Sequence, residues 1–234
     1  MKLKYLYINI NNTIIYTMSK SIIIFGKGPS VLRCNREVVN QHDDIAIINY
    51  PVINDFFYGL IKDREIKYHF ANCATFDTRY DDNMNNKLNI KGIYNTHYKL
   101  QIQNYKNFLK NKDLFKDCIR EKCEEYFRKI RLDPSSGILA LQYLINTKLY
   151  NKITLVGYDN YKLGEQTYYY KPEEYNNSIK YLFKNNIIKQ NGEYNQVSGH
   201  DPEKTKKYLE GLFVDYPNIN LKFITEVELN NLVD

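Results

Sequence analysis

Short apolar runs recur along the chain between longer segments that are polar or amphipathic. Each run is four to six residues long, rich in β-branched side chains and bounded by turn residues, which is typical of a buried parallel strand. We predict strands over 21–25, 44–49, 66–71, 153–156 and 221–225. Strands that alternate with helical segments favour an α/β fold in which helices flank a mostly parallel central sheet.

The segment before the fourth of these strands has the pattern of a buried helix. Residues 138–145 are apolar nearly all round, so we expect the helix to be covered on every side. Asp133 and Pro134 are well suited to begin it, as an N-cap and a first helical residue. Residues 135–137 would then occupy the first turn, where amide groups have no intrahelical acceptor.

Two other segments predict helices. Residues 101–128 carry helical spacing with many Lys and Glu side chains, which indicates solvent-facing helices. Asp201 and Pro202 repeat the signal of a capping residue followed by proline. Residues 77–99 contain Asp and Asn clusters with little periodicity, so we expect mostly loop there, with one short strand near 90–94.

Composition and charge narrow the class of protein. A chain of 234 residues with 43% hydrophobic and 26% charged residues can bury one full core. Residues 1–20 are too polar and interrupted for a membrane span or a signal peptide. We therefore treat 1–20 as an N-terminal extension and 21–234 as a single domain. The four Cys are scattered, which favours reduced thiols in a cytoplasmic protein.

The net charge is mild. Its value of +6 is spread along the chain, and no basic tract or nucleic-acid motif accompanies it. An anionic small ligand therefore fits the sequence better than a nucleic acid.

Glycine and polar residues follow several of the predicted strands. The first strand runs into residues 26–30, a Gly-x-Gly turn of the kind that brings backbone close to a phosphate or a ribose. Pro29 and Val31 depart from the dinucleotide-binding fingerprint. Asn49 and Asn72 end the next two strands and would bring two amide side chains to one edge of the sheet, although Asn is also common in turns. Ligands of open α/β sheets bind at the carboxyl ends of strands and at the amino ends of helices, and residues 131–170 supply both. We therefore predict an anion-binding site in that stretch.

Four motifs in a fixed order give the chain a resemblance to a known family. They are FGKGPS, DPSSG before an apolar helix, ITLVGYD, and GHDPEKTKKYLE. Between Ser21 and Phe213 the chain resembles the sialyltransferases, both the eukaryotic type (glycosyltransferase family 29) and the bacterial type (family 42). The resemblance implies a single Rossmann-like α/β domain, a GT-A-like variant, with a CMP-activated sugar as co-substrate and no other cofactor.

The resemblance also implies roles for individual residues. Contacts with the donor are implied for the residues that match family motifs: Gly26, Lys27, Gly28, Pro29, Ser30, Asn49, Asn72, Ser135, Ser136, Gly137, Gly157 and Asp159. Lys27 stands where the family has Asn. Tyr161 and Tyr168 stand near two phosphate-binding tyrosines of the family, with Tyr169 and Tyr170 as alternatives to Tyr168. His200 stands where the family carries its general base.

The implied reaction is a metal-independent, inverting transfer of sialic acid or a similar acidic sugar to a glycan hydroxyl. The departing phosphate takes up negative charge, and the chain contains no Asp-x-Asp motif to hold a metal beside it. Tyrosine hydroxyls, helix-start amides and Lys27 are the donors that could stabilise that charge. His200 precedes a predicted helix start, whose partial positive charge favours the neutral, proton-accepting imidazole. His42, His69 and His97 lie in predicted turns or strands and are expected to be structural.

Two alternatives stay open. Lys27 would suit a catalytically degenerate protein of the same fold that binds a nucleotide or nucleotide sugar. A methyltransferase or dehydrogenase could use the same Gly-x-Gly turn, but its ribose would require an acidic residue after the second strand, where this chain has Asn49. No integral membrane segment is predicted, and the sequence does not distinguish a monomer from a homo-oligomer.

Overall fold

The computed structural model describes residues 9–10, 13–14, 20–49, 51–72, 88–98, 113–158 and 202–224. The strands are β1 Asn9–Ile10, β2 Thr13–Ile14, β3 Lys20–Phe25, β4 Asp44–Ile48, β5 Glu65–Ile66, β6 Tyr68–Ala71, β7 Asn89–Ile90, β8 Ile93–Asn95, β9 Phe115–Cys118, β10 Tyr150–Val156 and β11 Asn220–Ile224. The helices are α1 Arg36–Asn40, α2 Asp55–Ile61, α3 Ile119–Lys129, α4 Ser136–Thr147 and α5 Pro202–Asp215, with a 3-10 helix at Pro29–Arg33.

Seven strands form one sheet in the order β11-β10-β3-β4-β6-β8-β9. Every neighbouring pair in this sheet is parallel. The predicted α/β fold with a mostly parallel sheet is therefore confirmed. From β3 the chain moves outward to β9, and α4 then carries it back to β10 on the other side of β3. The strand order reverses between β3 and β10, and such a switch point is where ligands bind in open α/β sheets.

The central strands of the sheet are buried on both faces, and they are apolar on both sides. In β3, Ile22 and Ile24 pack in one core cluster, and Ile23 and Phe25 pack in the other. Helices α1 and α2 cover the face of Ile23, and α3, α4 and α5 cover the face of Ile22. Continuous β-branched runs suit a strand in this position, since each alternate residue meets a helix layer.

Two sequence predictions in this part of the chain are wrong. Residues 115–118, predicted as helix, form the edge strand β9. Its sequence Phe-Lys-Asp-Cys is mostly polar because an edge strand is only partly covered, so it lacks the apolar run of a central strand. The third predicted strand begins at Tyr68, while Ile66 pairs with Ile90 in a separate short ladder.

Helix α4 begins later than predicted. Ser135 is its N-cap, and the Ser135 hydroxyl accepts a hydrogen bond from the Ile138 amide at 3.4 Å. Asp133 instead forms an ion pair with Arg120 of α3. Ser136 and Gly137 remain in the first turn, as predicted. Helix α5 begins at Pro202, which confirms the second proline signal.

Residues 1–20 are described only in part. They include a short antiparallel pair between β1 and β2 and the first residue of β3. Among the helices that the structure describes, none is long and apolar enough to cross a membrane.

Candidate functional site

Each of five neighbouring strands is directly followed by a glycine or a polar residue, and four of these five residues are predicted site residues. We call this set the carboxyl edge; it consists of the residues that directly follow β10, β3, β4, β6 and β8, namely Gly157, Gly26, Asn49, Asn72 and Thr96. Adjacent strands lie about 4.8 Å apart, so four steps span about 19 Å. The carboxyl edge therefore includes the switch point and extends across much of the sheet.

The two glycines at the switch point are required by close packing of one turn on the other. A Cβ atom on Gly26 would lie 2.4 Å from the Gly157 carbonyl oxygen. Gly157 has φ +76, and a Cβ atom there would lie 2.8 Å from the Val31 side chain. Both positions therefore exclude larger residues for reasons of packing and backbone conformation.

Hydrogen bonds fasten the same two turns together. The Gly26 amide donates to the Val156 carbonyl at 2.7 Å, and the Gly28 amide donates to the Gly157 carbonyl at 3.0 Å. The Gly157 amide donates to the hydroxyl of the fully buried Ser30 at 2.9 Å. These contacts use the amides of Gly26 and Gly28 and the Ser30 hydroxyl to shape the turn. Pro29 is buried as the first residue of the 3-10 helix, and Lys27 is partly buried between the two glycines.

The structure brings Asn49 and Asn72 together, as the sequence predicted for two strands that end side by side. The Asn72 amide donates to Asn49 Oδ1 at 3.1 Å. Asn49 adopts φ +53, a left-handed conformation that Asn tolerates better than most residues. His69 Nε2 lies 2.5 Å from the Asn49 carbonyl, so this nitrogen carries the proton and donates. Burial lowers the pKa of His69 to about 4, and its ring is therefore neutral near pH 7.

A third asparagine, Asn95, is the last residue of β8. Asn95 is fully buried, and its side chain accepts from the His97 amide at 3.2 Å and donates to the His97 carbonyl at 2.9 Å. His97 Nε2 is hydrogen-bonded to the Asn72 side-chain amide. Burial and the nearby Arg120 lower the pKa of His97, which favours a neutral ring. His97, which the sequence predicts to be structural, is in contact with Asn72, a predicted donor-binding residue.

The amino end of α4 reaches the carboxyl edge from the helix layer. The Ser136 hydroxyl lies 3.0 Å from the Thr96 hydroxyl, and the Thr96 amide donates to the Ala71 carbonyl at 3.0 Å. The first-turn amides of Ser136 and Gly137 have no intrahelical acceptor, as at any helix start. The positive end of the helix dipole is thus presented at the predicted anion site.

Tyr158 connects α4 to the end of β10. Its hydroxyl donates to the Gly137 carbonyl at 3.1 Å. A Cβ atom on Gly137 would lie 3.0 Å from the Tyr158 ring, so glycine allows the ring to pack tightly against the helix start. Burial raises the pKa of Tyr158, which keeps the hydroxyl protonated as a donor.

Sequence reasoning missed three of these residues as site components: Thr96, His97 and Tyr158. A signal for the first two was present, because Asn95 follows an apolar pair just as Asn49 and Asn72 follow their strands. Asp159, Tyr161, Tyr168 and His200 lie outside the described residues. Within the described residues, no group of three or more His, Cys, Asp or Glu side chains is arranged to hold a metal ion.

Comparison with known proteins identifies the fold. No protein-family model matches the chain, and no curated protein sequence gives a significant match. The solved structure of the monofunctional α-2,3-sialyltransferase Cst-I from Campylobacter jejuni matches with 21% identity over 95% of this chain and 82% of that chain, at a TM-score of 0.64. The sialyltransferase CstII from Campylobacter jejuni, in complex with cytidine-5'-monophosphate, matches with 19% identity over 91% of this chain and 83% of that chain, at a TM-score of 0.63.

A CstII variant in complex with CMP matches similarly, with 20% identity over 88% of this chain and 81% of that chain, at a TM-score of 0.62. At these identities the likeness is one of fold. The chain has the fold of the Campylobacter sialyltransferases, which are glycosyltransferases.

Proposed function

We propose that the protein is a glycosyltransferase that moves sialic acid or a similar acidic sugar from a CMP-activated donor to a glycan hydroxyl. One observation carries the proposal. The carboxyl edge gathers polar groups at the switch point of a sheet whose fold is shared with sialyltransferases that bind CMP. Asn49 and Asn72 are our candidates for holding the nucleotide, in the polar network they form with His97.

The departing phosphate needs donors that are in place before the bond breaks. The first-turn amides of Ser136 and Gly137 lie at a helix start, where the partial positive charge favours an anion. We assign Tyr161 and Tyr168 to the same phosphate as hydroxyl donors, and the mechanism is metal-independent. Asp159 completes the donor-binding set. One preorganised donor of this kind commonly contributes about 3 kcal/mol to lowering the barrier.

The general base in this proposal is His200, which takes the proton of the acceptor hydroxyl as that oxygen attacks the anomeric carbon with inversion. Support comes from the way α5 lies beside α4. Tyr208 is the seventh residue of α5 and Gln142 is the seventh residue of α4. The Tyr208 hydroxyl donates a hydrogen bond to the Gln142 side chain at 3.0 Å. Both helices precede parallel strands and run in the same direction, so their amino ends share one edge of the sheet. His200 stands two residues before α5 in the sequence.

Nucleotide binding tests the proposal directly. The melting temperature should rise with CMP or a CMP-sugar and should not rise with uridine diphosphate, an adenine dinucleotide or S-adenosylmethionine. At a ligand concentration of 100 Kd the expected stabilisation is about 2.7 kcal/mol. Stabilisation by one of the other ligands, with none by CMP, would contradict the proposal. Tight CMP binding without hydrolysis or transfer of the donor sugar would instead indicate a degenerate binding protein.

A further inference from the structure

The loop that follows β8 is held in place by a buried side chain at the end of that strand. Asn95 fixes the backbone of His97 through two hydrogen bonds, one from the His97 amide to Asn95 Oδ1 at 3.2 Å and one from Asn95 Nδ2 to the His97 carbonyl at 2.9 Å. Asn95 is fully buried, and its Nδ2 also lies 3.6 Å from the sulfur of Cys118, the last residue of β9. The loop is therefore tied to the neighbouring strand end in the absence of any ligand.

The residues on either side of His97 are held as well. The Thr96 hydroxyl lies 3.0 Å from the Ser136 hydroxyl at the start of α4. The guanidinium of Arg120 on α3 lies 5.2 Å from the centre of the Tyr98 ring. The His97 ring thus has a defined position, because the chain is fixed both before and after it.

The His97 ring meets the side chain of Asn72, and the two atoms in contact determine where the ring proton lies. These atoms are His97 Nε2 and Asn72 Nδ2. The side-chain nitrogen of an asparagine only donates, so Nε2 accepts and the ring proton lies on Nδ1. Burial and the nearby Arg120 lower the pKa of His97, which favours the neutral ring that an accepting nitrogen requires.

The contact with His97 gives the Asn72 side chain one orientation. Turning the amide over would place its Oδ1 against the lone pair of Nε2, so that two acceptors would face each other. The backbone of Asn72 is fixed separately, since its amide donates to Asn49 Oδ1 at 3.1 Å.

We propose that His97 is a positioning residue for nucleotide binding, which holds the Asn72 side chain in the orientation that meets the donor, and that Asn95 in turn holds His97. This inference rests on the proposed function, in which Asn72 contacts the nucleotide. It assigns a role to two residues that do not themselves need to touch the ligand.

A double-mutant cycle in the full chain tests the inference, with CMP as the probe. His97→Phe keeps a planar ring and removes the accepting nitrogen, and Asn72→Ala removes the amide. Each single variant should bind CMP about five- to tenfold more weakly than the wild type in calorimetric titration. Because His97 acts through Asn72, the double variant should bind CMP no more weakly than Asn72→Ala alone.

A conservative variant gives a second readout. Glutamine can place its side-chain oxygen near the position of histidine Nε2, so His97→Gln can still accept from Asn72 Nδ2. CMP affinity should therefore be close to wild type in His97→Gln and reduced in His97→Phe. His42→Gln at the opposite edge of the sheet is the matched control and should leave CMP affinity unchanged. Circular dichroism verifies that each variant is folded.

The position of the ring proton can be measured without CMP. The nitrogen NMR shifts of the His97 ring distinguish a proton on Nδ1 from a proton on Nε2, and we expect the proton on Nδ1 in the wild type. A proton on Nε2 overturns the inference, because Nε2 would then donate and the Asn72 amide would be turned the other way.

The outcomes separate this inference from the proposed function. If the wild type binds CMP and the losses of His97→Phe and Asn72→Ala multiply in the double variant, the inference is overturned and the proposed function is unaffected. Equally weak binding by His97→Gln and His97→Phe has the same consequence. A double variant equal to Asn72→Ala, together with rescue in His97→Gln, supports the inference. Failure of the wild type to bind CMP overturns the proposed function, and the inference with it.

Discussion

The amino and carboxyl edges of the central sheet both carry polar side chains, but they use them differently. At the amino edge, the Asp44 carboxylate accepts hydrogen bonds from Lys67 at 2.6 Å and from the Tyr150 hydroxyl at 2.7 Å. Nearby, His42 donates from Nδ1 to the Val38 carbonyl at 2.8 Å, and its Nε2 lies 2.7 Å from the Thr154 hydroxyl. Apart from the local bond of His42 to Val38, these contacts join elements that are distant in sequence.

At the carboxyl edge most hydrogen bonds of the polar side chains hold turns in shape. Asn49 orders the turn at Asn72, Asn95 orders the turn at His97, and Ser30 orders the turn at Gly157. In α4 the Ile138 amide is capped by Ser135, and the first-turn amides of Ser136 and Gly137 are the ones proposed to meet a ligand. In the proposed function, the polar groups of the amino edge serve stability, whereas those of the carboxyl edge prepare a binding surface.

The largest expected effect is a loss of catalysis without a loss of stability. His200→Ala removes the proposed base, and we expect transfer from CMP-sialic acid to slow by about 10² to 10⁴. CMP affinity and the melting temperature should stay close to wild-type values, since the imidazole acts on the acceptor hydroxyl. Initial rates with saturating donor and acceptor provide the measurement.

Rescue of the variant by small external bases gives an independent readout of proton transfer. Imidazole added to His200→Ala should restore part of the rate, whereas wild-type transfer should not change. An unimpaired rate in His200→Ala would remove this residue from the mechanism and leave the carboxyl edge as a binding surface only.

The next effect concerns the amino edge and the pH dependence of stability. Burial lowers the pKa of His42 to about 4, below the unfolded value of about 6.5. Between these values the unfolded state binds the extra proton, so the contribution of His42 to stability is full above about pH 6.5 and is lost as the pH falls toward 4. For this one residue the expected loss between pH 7 and pH 5 is about 2 kcal/mol.

Urea denaturation of the wild type and of His42→Gln at both pH values measures this loss. The variant should show a smaller decrease of the unfolding free energy on acidification, whatever its stability at pH 7. His69, whose pKa burial also lowers to about 4, should retain its own contribution in that variant. CMP affinity at pH 7 should not change. An identical pH dependence in the two proteins would show that His42 is protonated at little cost in the folded state.

Differences in burial also determine which strands and which strand-end residues can be predicted from the sequence. Strand β3 can be predicted from the sequence because both of its faces are buried, so every residue in its centre is apolar. Strand β8 has three residues and β9 is a polar edge strand, so neither contains enough apolar positions for a clear period. The asparagines after β4 and β6 are visible as residues that end strands, because parallel strands bring successive carboxyl ends together.

Contacts between remote segments have no local pattern. The packing of Gly26 on Gly157 and of Tyr158 on Gly137 joins residues that only the completed sheet brings together. Gly-x-Gly therefore predicts a tight turn correctly, while the reason for its glycines, a second turn packed against them, becomes apparent only in the fold. For the same reason the sequence wrongly predicts Asp133 as the α4 cap, because its ion pair with Arg120 has no local signal.

The smallest expected effects come from a pair of substitutions that each remove one hydrogen-bonding group. Asn72→Ala removes the amide bonded to His97 at the carboxyl edge, and Tyr150→Phe removes the hydroxyl that donates to Asp44 at the amino edge. A hydrogen bond contributes about 1 kcal/mol net, and one to a charged acceptor about 1.5 to 3 kcal/mol. We expect Asn72→Ala to weaken CMP binding roughly five- to tenfold with a smaller change in stability.

Tyr150→Phe should do the opposite, lowering the unfolding free energy by about 1.5 kcal/mol while CMP affinity stays unchanged. Calorimetric titration with CMP and urea denaturation of both variants complete the test. A loss of CMP affinity in Tyr150→Phe that matches that of Asn72→Ala would mean that the two edges are coupled through the strands. The polar groups of the amino edge would then belong to the binding machinery, because weakening the strand contacts at one end would displace the turns at the other.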